Sequence, residues 1–256
     1  MYRPEDYPQI RDHLYLKGRG KGASKVLTGK VALITVYMSR KSSDWSESVR
    51  DAYVRSVWTA IEALQKEAVR YGASLSITPY HFDHTVSPKA DPHDKFNLIK
   101  DRFDVTTMEQ LQTKYEKHLG VDEAIFVLAF DGEGRSFASR QKSNGPVDEI
   151  SVVFIDSSRS ENSMAYTIAH ELLHQFGAAD YYFPGEMESL ATRYFGKTIM
   201  NDHGCLSVDE LTAYLVGWTD TVTAYGWWFM KESMWLTEEV WQKALDDIWA
   251  KEKKKK

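Results

Sequence analysis

The 256-residue sequence predicts an α+β fold in which helices pack on a twisted, mixed and mostly parallel sheet, followed by a mainly helical C-terminal part. Two observations lead to this expectation. Up to about residue 155, short apolar runs rich in β-branched residues alternate with stretches of helical periodicity, as in strand–helix–strand units. Beyond that point strand-like runs cease, and six of the eight tryptophans lie at or after Trp218.

Most of the expected strands are short apolar runs, whereas residues 75–80 alternate between apolar and polar residues. Four are strong, at residues 31–37, 75–80, 124–130 and 150–155, and a short edge strand is expected near residues 136–140. Pro79 lies near the end of the second run. Because proline cannot donate a hydrogen bond to a sheet, it predicts either an edge strand or a strand that ends there.

The helices expected before residue 124 are marked by capping residues. A long helix should begin at an N-cap near Asp44 and end at Gly72, and a second should run from the capping residue Thr107 to Gly120. Residues 83–94 are expected to form a loop.

Three helices are expected in the C-terminal half. Ser163 is the expected cap of the first, Ser207 with Glu210 begins a second that runs to about Val216, and the third begins near Thr237. We interpret the tryptophans of this half as sealing its core. The alternative is an exposed aromatic surface for a substrate or partner.

Composition narrows the class of protein. Apolar residues at 43% and charged residues at 27% are ordinary for a globular domain. The net charge of −5 offers no basic surface for a nucleic acid, so none is expected as a partner. No run approaches 18 apolar residues, so no membrane span is expected either.

Localisation and assembly are expectations of the same general kind. The first residues lack the apolar segment of a secretory signal, so we expect a cytoplasmic protein. Signal-independent secretion and a processed mature form are the alternatives. Cys205 is the single cysteine, which excludes an internal disulfide. We expect a monomer.

The most informative motif runs from His170 to Asp180 and reads H-E-x-x-H-x-x-G-x-x-D. Residues four apart on a helix lie about 40° apart around its axis, so His170 and His174 point the same way and can share a zinc ion. Glu171 lies about 100° round the helix from His170, where its carboxylate can deprotonate a water at the metal. Gly177 permits a sharp turn, through which Asp180 can return as a third ligand.

Two histidines and one carboxylate leave a fourth position open, as a catalytic zinc site requires. The alternative is an amphipathic helix whose histidines face outward. The core-facing stripe of this helix is already supplied by four other residues, Ala165, Ala169, Leu172 and Phe176, which favours the zinc interpretation.

At these positions the chain resembles the metzincin clan of zinc peptidases, whose signature is H-E-x-x-H-x-x-G-x-x-H/D. The aspartate form is similar to snapalysin-type bacterial members. The clan also has a Met-turn below the metal, and residues 198–202, with Met200 at their centre, match it best. The resemblance covers residues 163–218. A single cysteine cannot form the extra cysteine-rich site of archaemetzincins, and no tyrosine follows Met200 by two residues, so an astacin-like tyrosine ligand is not indicated.

The resemblance implies a zincin-like, metzincin fold and a zinc-dependent metalloendopeptidase with one catalytic Zn²⁺. His170, His174 and Asp180 would be its ligands, with Glu171 as general base for a zinc-activated water. Tyr181 or Tyr182 is the candidate to hydrogen-bond the transition state, the alternative for both being packing at the rim.

Residues 1–29 are polar, with Gly18, Gly20 and Gly22 among lysines and arginines, and are expected to form a flexible arm. The resemblance implies a division of the rest of the chain and a way of binding substrate. Residues 30–177 would be an upper catalytic subdomain carrying the sheet and the zinc helix, and 178–256 a lower subdomain with the third ligand and the Met-turn. A peptide or protein substrate would lie extended along an edge strand.

Other functions use the same residues. A zinc hydrolase of non-peptide amides, an inactive zinc-bearing binding module, and a toxin or effector released without a cleavable signal all remain open. The intact Glu171 argues against the binding module, because a structural metal site needs no carboxylate beside its ligands.

Other roles for residues near the motif are also open. Asp202 and Glu186 are the next candidates for third ligand after Asp180. Cys205 is interpreted as a small apolar residue, with a thiol inhibitor of the zinc as the alternative. Three further histidines are close in sequence and are interpreted as ordinary loop residues, with a second metal site as the alternative: His81, His84 and His93.

Overall fold

The computed structural model describes residues 1–21, 24–40, 45–139, 149–156 and 158–253. The strands are β1 (Gly29–Ser39), β2 (Leu75–Thr85), β3 (Glu123–Asp131), β4 (Phe137–Ala138) and β5 (Ile150–Ile155). The helices are α1 (Pro8–Arg11), α2 (Glu47–Arg70), α3 (Lys95–Phe103), α4 (Met108–Leu119), α5 (Glu161–Gln175), α6 (Gly185–Phe195), α7 (Glu210–Leu215), α8 (Ala224–Glu232) and α9 (Glu238–Lys253). Two 3-10 turns span Pro4–Asp6 and Leu14–Gly18.

The strands form one sheet in the order β2-β1-β3-β5-β4. All neighbours are parallel except β4, which runs antiparallel to β5, so the predicted mixed and mostly parallel sheet is confirmed. Pro79 lies within β2, opposite Leu33, and the strand continues to Thr85. Because β2 is an edge strand, one side of its backbone is unpaired, and proline is tolerated there without ending the strand.

Both faces of the sheet are buried at β1, β3 and β5, which explains why these strands are mostly apolar, whereas the edge strand β2 alternates between buried and exposed residues. In β1, Val31 and Leu33 face a core that includes residues of α2, α5 and the C-terminal helices. Ala32 and Ile34 face a second core with α3 and α4. The helix that carries the H-E-x-x-H motif, α5, therefore lies on the larger of the two cores.

Helix caps differ from the prediction at three positions. Ser160 rather than Ser163 caps α5, and Ser163 instead donates its backbone N–H to the Ser160 hydroxyl. Asp209 rather than Ser207 caps α7. Ser46 caps α2, whereas the predicted cap, Asp44, lies outside the described residues. In all three cases the cap is the residue whose side-chain oxygen reaches the N–H three positions on.

The N-terminal segment is not a free arm, and this corrects the expectation for residues 1–29. Within its described residues, Ile10, Tyr15 and Leu27 are fully buried in the larger core. The N–H of Leu27 donates to the carbonyl of Val216 at 2.8 Å, and the carbonyl of Leu27 accepts from the Trp218 indole at 2.6 Å. Apolar residues spaced between the glycines and lysines therefore anchor the segment.

The C-terminal part is helical as predicted, although α6 and α8 have no counterpart among the predicted helices. Some of its tryptophans are buried in the core, as we interpreted them, and others form exposed surface. Trp218 is buried, whereas Trp228 and Trp235 are 47% and 45% exposed. Across the described residues, no helix combines the length and the apolar content needed to cross a membrane.

Candidate metal centre

Helix α5 presents His170, Glu171 and His174, and it is fixed to the sheet next to them. The Ser151 hydroxyl of β5 donates to the backbone carbonyl of Glu171 at 3.0 Å. The Gln175 amide donates to the Ser151 hydroxyl at 2.7 Å and to the Phe126 carbonyl of β3 at 3.1 Å. These buried hydrogen bonds hold the ligand-bearing turns of the helix at a set position on the sheet.

The helix ends in a Schellman motif that returns the chain toward the histidines. Gly177 has a φ of 96°, its N–H donates to the His174 carbonyl at 3.0 Å, and the Ala178 N–H donates to the Leu173 carbonyl at 3.1 Å. A Cβ at position 177 would lie 2.7 Å from the carbonyl oxygen of Gly18. Glycine is therefore required both for the turn and for the approach of the N-terminal segment.

This turn brings Asp180 to the two histidines, as predicted. The Asp180 Oδ1 atom lies 3.0 Å from His170 Nε2 and 3.2 Å from His174 Nε2, and the two Nε2 atoms are 3.1 Å apart. Among the described residues this is the set of histidine, cysteine and carboxylate side chains that could hold a metal ion.

The hydrogen bond made by Nδ1 of each histidine determines whether Nε2 carries a lone pair. His170 Nδ1 donates to the Ile199 carbonyl at 2.8 Å, and His174 Nδ1 donates to the Ala178 carbonyl at 2.9 Å. A neutral imidazole protonated at Nδ1 carries a lone pair at Nε2. Two imidazole lone pairs and one carboxylate oxygen therefore converge.

Such a triangle is stable only around a proton or a metal ion, because three acceptors repel one another. Asp180 Oδ1 is buried without a hydrogen-bond partner in the described part of the chain, although both Nε2 atoms lie close to it. Burial raises the pKa of Asp180, but His174 and His170 lower it by more when a proton lies at Nε2, so the carboxyl is ionised beside a protonated imidazole. A tetrahedral zinc site holds ligand atoms roughly 3.3 Å apart, slightly wider than this triangle, so the three residues fit zinc.

Glu171 is placed beside this triangle and is not part of it. Its side chain is buried, and Oε2 has no hydrogen-bond partner within the described residues. Burial raises the pKa of Glu171 to about 7, while His170 opposes the rise and Asp180 adds to it. A carboxylate with a pKa close to neutrality can both accept and return a proton near pH 7.

A tight turn at residues 198–202 forms hydrogen bonds with residues on both sides of Asp180 in the chain. The carbonyl of Ile199 holds His170, and the carbonyl of Met200 accepts the Tyr181 N–H at 2.8 Å. Met200 itself is fully buried. The Asn201 side chain builds the turn by accepting from the Thr198 N–H at 2.6 Å. One turn thus touches the chain on both sides of the Asp180 segment.

The structure separates the two predicted tyrosines. Tyr181 is fully buried, its hydroxyl pairs with Thr212 at 3.1 Å, and its ring packs among aromatic residues of the core. Tyr182 stacks on His170 with ring centroids 6.0 Å apart. The structure therefore brings Tyr182 to the site and leaves Tyr181 in the core.

A cleft of about 840 Å³ opens beside the triangle and runs along α5 from Glu171 toward the start of the helix. Sequence reasoning missed several of its residues. Tyr166 lies one turn before His170, with its hydroxyl 3.4 Å from His170 Nδ1, so helical spacing from the motif could have identified it. Three others come from separate segments and gave no sequence signal: Arg135, Arg159 and His203.

The alternative ligands are not brought to the centre. Asp202 pairs with Lys197 at 2.8 Å, and neither Asp202 nor Glu186 joins the ligand set found among the described residues. The Cys205 thiol donates to the Lys197 carbonyl and does not line the cleft.

The three further histidines have separate environments, and two of them, His81 and His84, lie in β2 rather than in the predicted loop. His81 stacks on Tyr37, His84 contacts the Leu98 carbonyl at 2.8 Å, and His93 stacks on Phe137. They do not form a second ligand set within the described residues.

No protein-family model and no curated protein matches this chain. Among solved structures, it aligns with metalloproteinase-II from Bacteroides fragilis at 16% identity and a TM-score of 0.36, over 82% of this chain and 55% of that one. It aligns with wild-type OgpA from Akkermansia muciniphila at 12% identity and a TM-score of 0.42, over 80% of this chain and 64% of that one. The alignments cover less than two thirds of either structure, and likeness at this level carries no argument about activity.

Proposed function

We propose that the protein is a zinc-dependent metalloendopeptidase of the metzincin type. The observation that carries the proposal is the convergence of two imidazole lone pairs and the Asp180 carboxylate beside a buried, unpartnered Glu171. Three ligands leave one coordination position of a tetrahedral ion to water or substrate. A purely structural site has no use for an additional buried carboxylate at that place.

The metzincin assignment is supported by the turn at residues 198–202. In the proposal this is the Met-turn, with Met200 buried in it. The hydrogen bond from His170 to the Ile199 carbonyl gives the turn a role in orienting a ligand. Asp180 takes the position of the third ligand, which most of the clan fills with histidine.

Zinc held by His170, His174 and Asp180 would lower the pKa of water toward neutrality and polarise the substrate carbonyl. Glu171 accepts a proton from the attacking water and delivers it to the leaving amine nitrogen. Burial raises the pKa of Glu171, which favours acceptance of the proton, and the positive charge of a bound zinc ion would lower it. Because Asp180 neutralises one charge of the metal, we expect weaker acidification of water than in a three-histidine site.

Tyr182 is the proposed hydrogen-bond donor to the oxyanion that develops on the substrate. It lines the cleft beside Glu171 and stacks on His170. Burial, with the negative charges of Asp180 and Glu171, raises the pKa of Tyr182 above its ordinary value, so the phenol keeps its proton and can donate.

The proposed substrate is an extended peptide aligned with β4. This short strand is an edge of the sheet, pairs with β5 on one side and contacts α5. An edge strand offers unpaired backbone groups to which a peptide can add as a further strand. The cleft begins next to this edge, at Arg135 and Ser136.

Metal analysis paired with a cleavage assay tests the proposal. We expect purified wild type to contain one zinc per chain and to cleave casein. Glu171→Ala should keep the zinc and lose at least about a thousandfold in kcat/KM, because Glu171 transfers the proton and is not a ligand. Normal turnover by Glu171→Ala would refute the general-base role. Zinc bound without any hydrolysis by the wild type would indicate a binding module instead.

A further inference from the structure

The cleft beside the metal centre differs in charge from the rest of the molecule. The chain as a whole carries a net charge of −5. Among the described residues that line the cleft, Glu171 is the one carboxylate, whereas Arg135 and Arg159 are both cationic. A local excess of positive charge on an acidic protein requires an explanation in terms of what the cleft binds.

Arg135 lies close to the reaction centre. It belongs to the connection between β3 and β4, two residues before the edge strand along which a peptide would extend. Arg135 lines the same cleft as Glu171 and Tyr182, the two groups proposed to handle the substrate.

Arg159 lies at the other end of the cleft, just before the Ser160 cap of α5. Since a helix rises 1.5 Å per residue, this end is about 16 Å from Glu171 along the helix axis. Its nearest acidic partner is Asp156 at 3.9 Å, and the Arg159 side chain is 40% exposed. Such a weak surface pair leaves Arg159 able to engage an anion.

The start of α5 adds to this positive potential. α5 is 15 residues long, and the first turn of a helix exposes backbone N–H groups and the positive end of its dipole. Ser160, Asn162 and Ser163 line the cleft here and supply neutral hydrogen-bonding groups. Cations and donors thus line one wall over the length of about five extended peptide residues.

From this arrangement we propose that the cleft recognises a carboxylate-bearing peptide, with Arg135 and Arg159 as the specificity-determining residues. The proposal rests on the proposed function and names its substrate class. An arginine binds a carboxylate through paired, charge-assisted hydrogen bonds. The carboxylate is either that of an aspartate or glutamate side chain or that of a peptide C-terminus.

Binding is measured first, on the zinc-loaded Glu171→Gln protein, which does not turn over substrate. The probes are rhodamine-labelled octapeptides of alanine and glycine that carry glutamate or glutamine at one position, moved along the peptide. Fluorescence anisotropy should show about tenfold tighter binding of a glutamate peptide than of its glutamine partner at one or more positions. A further pair with a free or an amidated C-terminus distinguishes the two sources of the carboxylate.

The variants Arg135→Gln and Arg159→Gln should each reduce the glutamate-to-glutamine ratio, and the double variant should bring it close to one. Arg11→Gln is the matched control, because Arg11 is an exposed surface residue that does not line the cleft. It removes the same charge and should leave the ratio unchanged. Circular dichroism and zinc content confirm that each variant is folded and loaded.

Cleavage of the same peptides by the zinc-loaded wild type separates this inference from the proposed function. Preferential binding and cleavage of the acidic peptides supports both. Preferential binding without any cleavage supports the inference and overturns the peptidase. Cleavage without a preference overturns the inference alone. Equal binding of glutamate and glutamine peptides, or a preference that persists in the double arginine variant, also overturns it.

Discussion

The two ends of helix α5 differ in the charge of the group that each would bind. At the C-terminal end, acceptor atoms of His170, His174 and Asp180 converge within 3.2 Å of one another. At the N-terminal end, Arg159 and the first turn of the helix present positive charge to an open cleft. The C-terminal end therefore attracts a cation, and the N-terminal end attracts an anion.

The difference shows how one helix can serve both parts of a reaction. The dipole of α5 is positive at its start and negative at its end, which favours a metal ion near the last turn and a carboxylate near the first. Glu171 lies on the same turn as His170, beside the converging acceptor atoms, and burial raises the pKa of Glu171 to about 7.

Replacing Asp180 should have the largest effect on metal binding at the C-terminal end of α5. Asp180→Asn removes the anionic ligand, so zinc affinity should fall by more than about 100-fold, measured by competition with a chromophoric chelator. Asp202→Asn is the control and should leave zinc affinity within about twofold. An unchanged affinity in Asp180→Asn would place the third ligand elsewhere.

Replacing Gly177 should disturb the same end of the helix by straining its backbone. Gly177→Ala meets both the strain of positive φ and the Gly18 carbonyl, so we expect about 2–4 kcal/mol of destabilisation in urea unfolding. Gly72→Ala has a similar φ of 81° with open space around the added Cβ, and should cost only about 1 kcal/mol. Equal losses for the two variants would show that the Gly18 contact contributes nothing.

Tyr181 and Tyr182 are adjacent in the sequence, but we expect one to act in the core and the other in the site. Tyr182→Phe should lower kcat about tenfold with zinc affinity unchanged, because it removes the proposed donor to the oxyanion. Tyr181→Phe should leave kcat within about twofold and reduce stability by about 1 kcal/mol, because its buried hydroxyl pairs with Thr212. The reverse pattern in steady-state kinetics and urea unfolding would exchange the two roles.

Glu123 provides the smallest effect and tests whether a raised carboxyl pKa is special to the site. Burial and the nearby Glu116 raise the pKa of Glu123 to about 7 from 4.5. The folded protein therefore binds this proton more tightly than the unfolded chain, and stability is lost as the pH rises from about 4.5 through 7. Glu123→Gln should gain up to about 1 kcal/mol at pH 8, discounted for partial exposure, and nothing at pH 4. A gain that is independent of pH would contradict this origin.

The candidate ligand set and much of the fold were readable from the sequence because they depend on local geometry. His170 and His174 lie one helical turn apart, and Gly177 closes that helix in the conformation that glycine favours. The central strands were recognisable because both of their faces are buried and most of their residues are apolar, and β2 was recognisable because its residues alternate. Local rules of this kind act within a few residues and need no knowledge of distant segments.

Tertiary structure decided what lies around those ligands. The separation of Tyr181 from Tyr182, and the meeting of Arg135 with Arg159 in one cleft, depend on which segments pack together. The packed N-terminal segment, against the prediction of a free arm, is of the same kind. Spacing along one helix determined which atoms can hold a metal ion, whereas the charge and shape of the cleft arise from contacts between segments far apart in the chain.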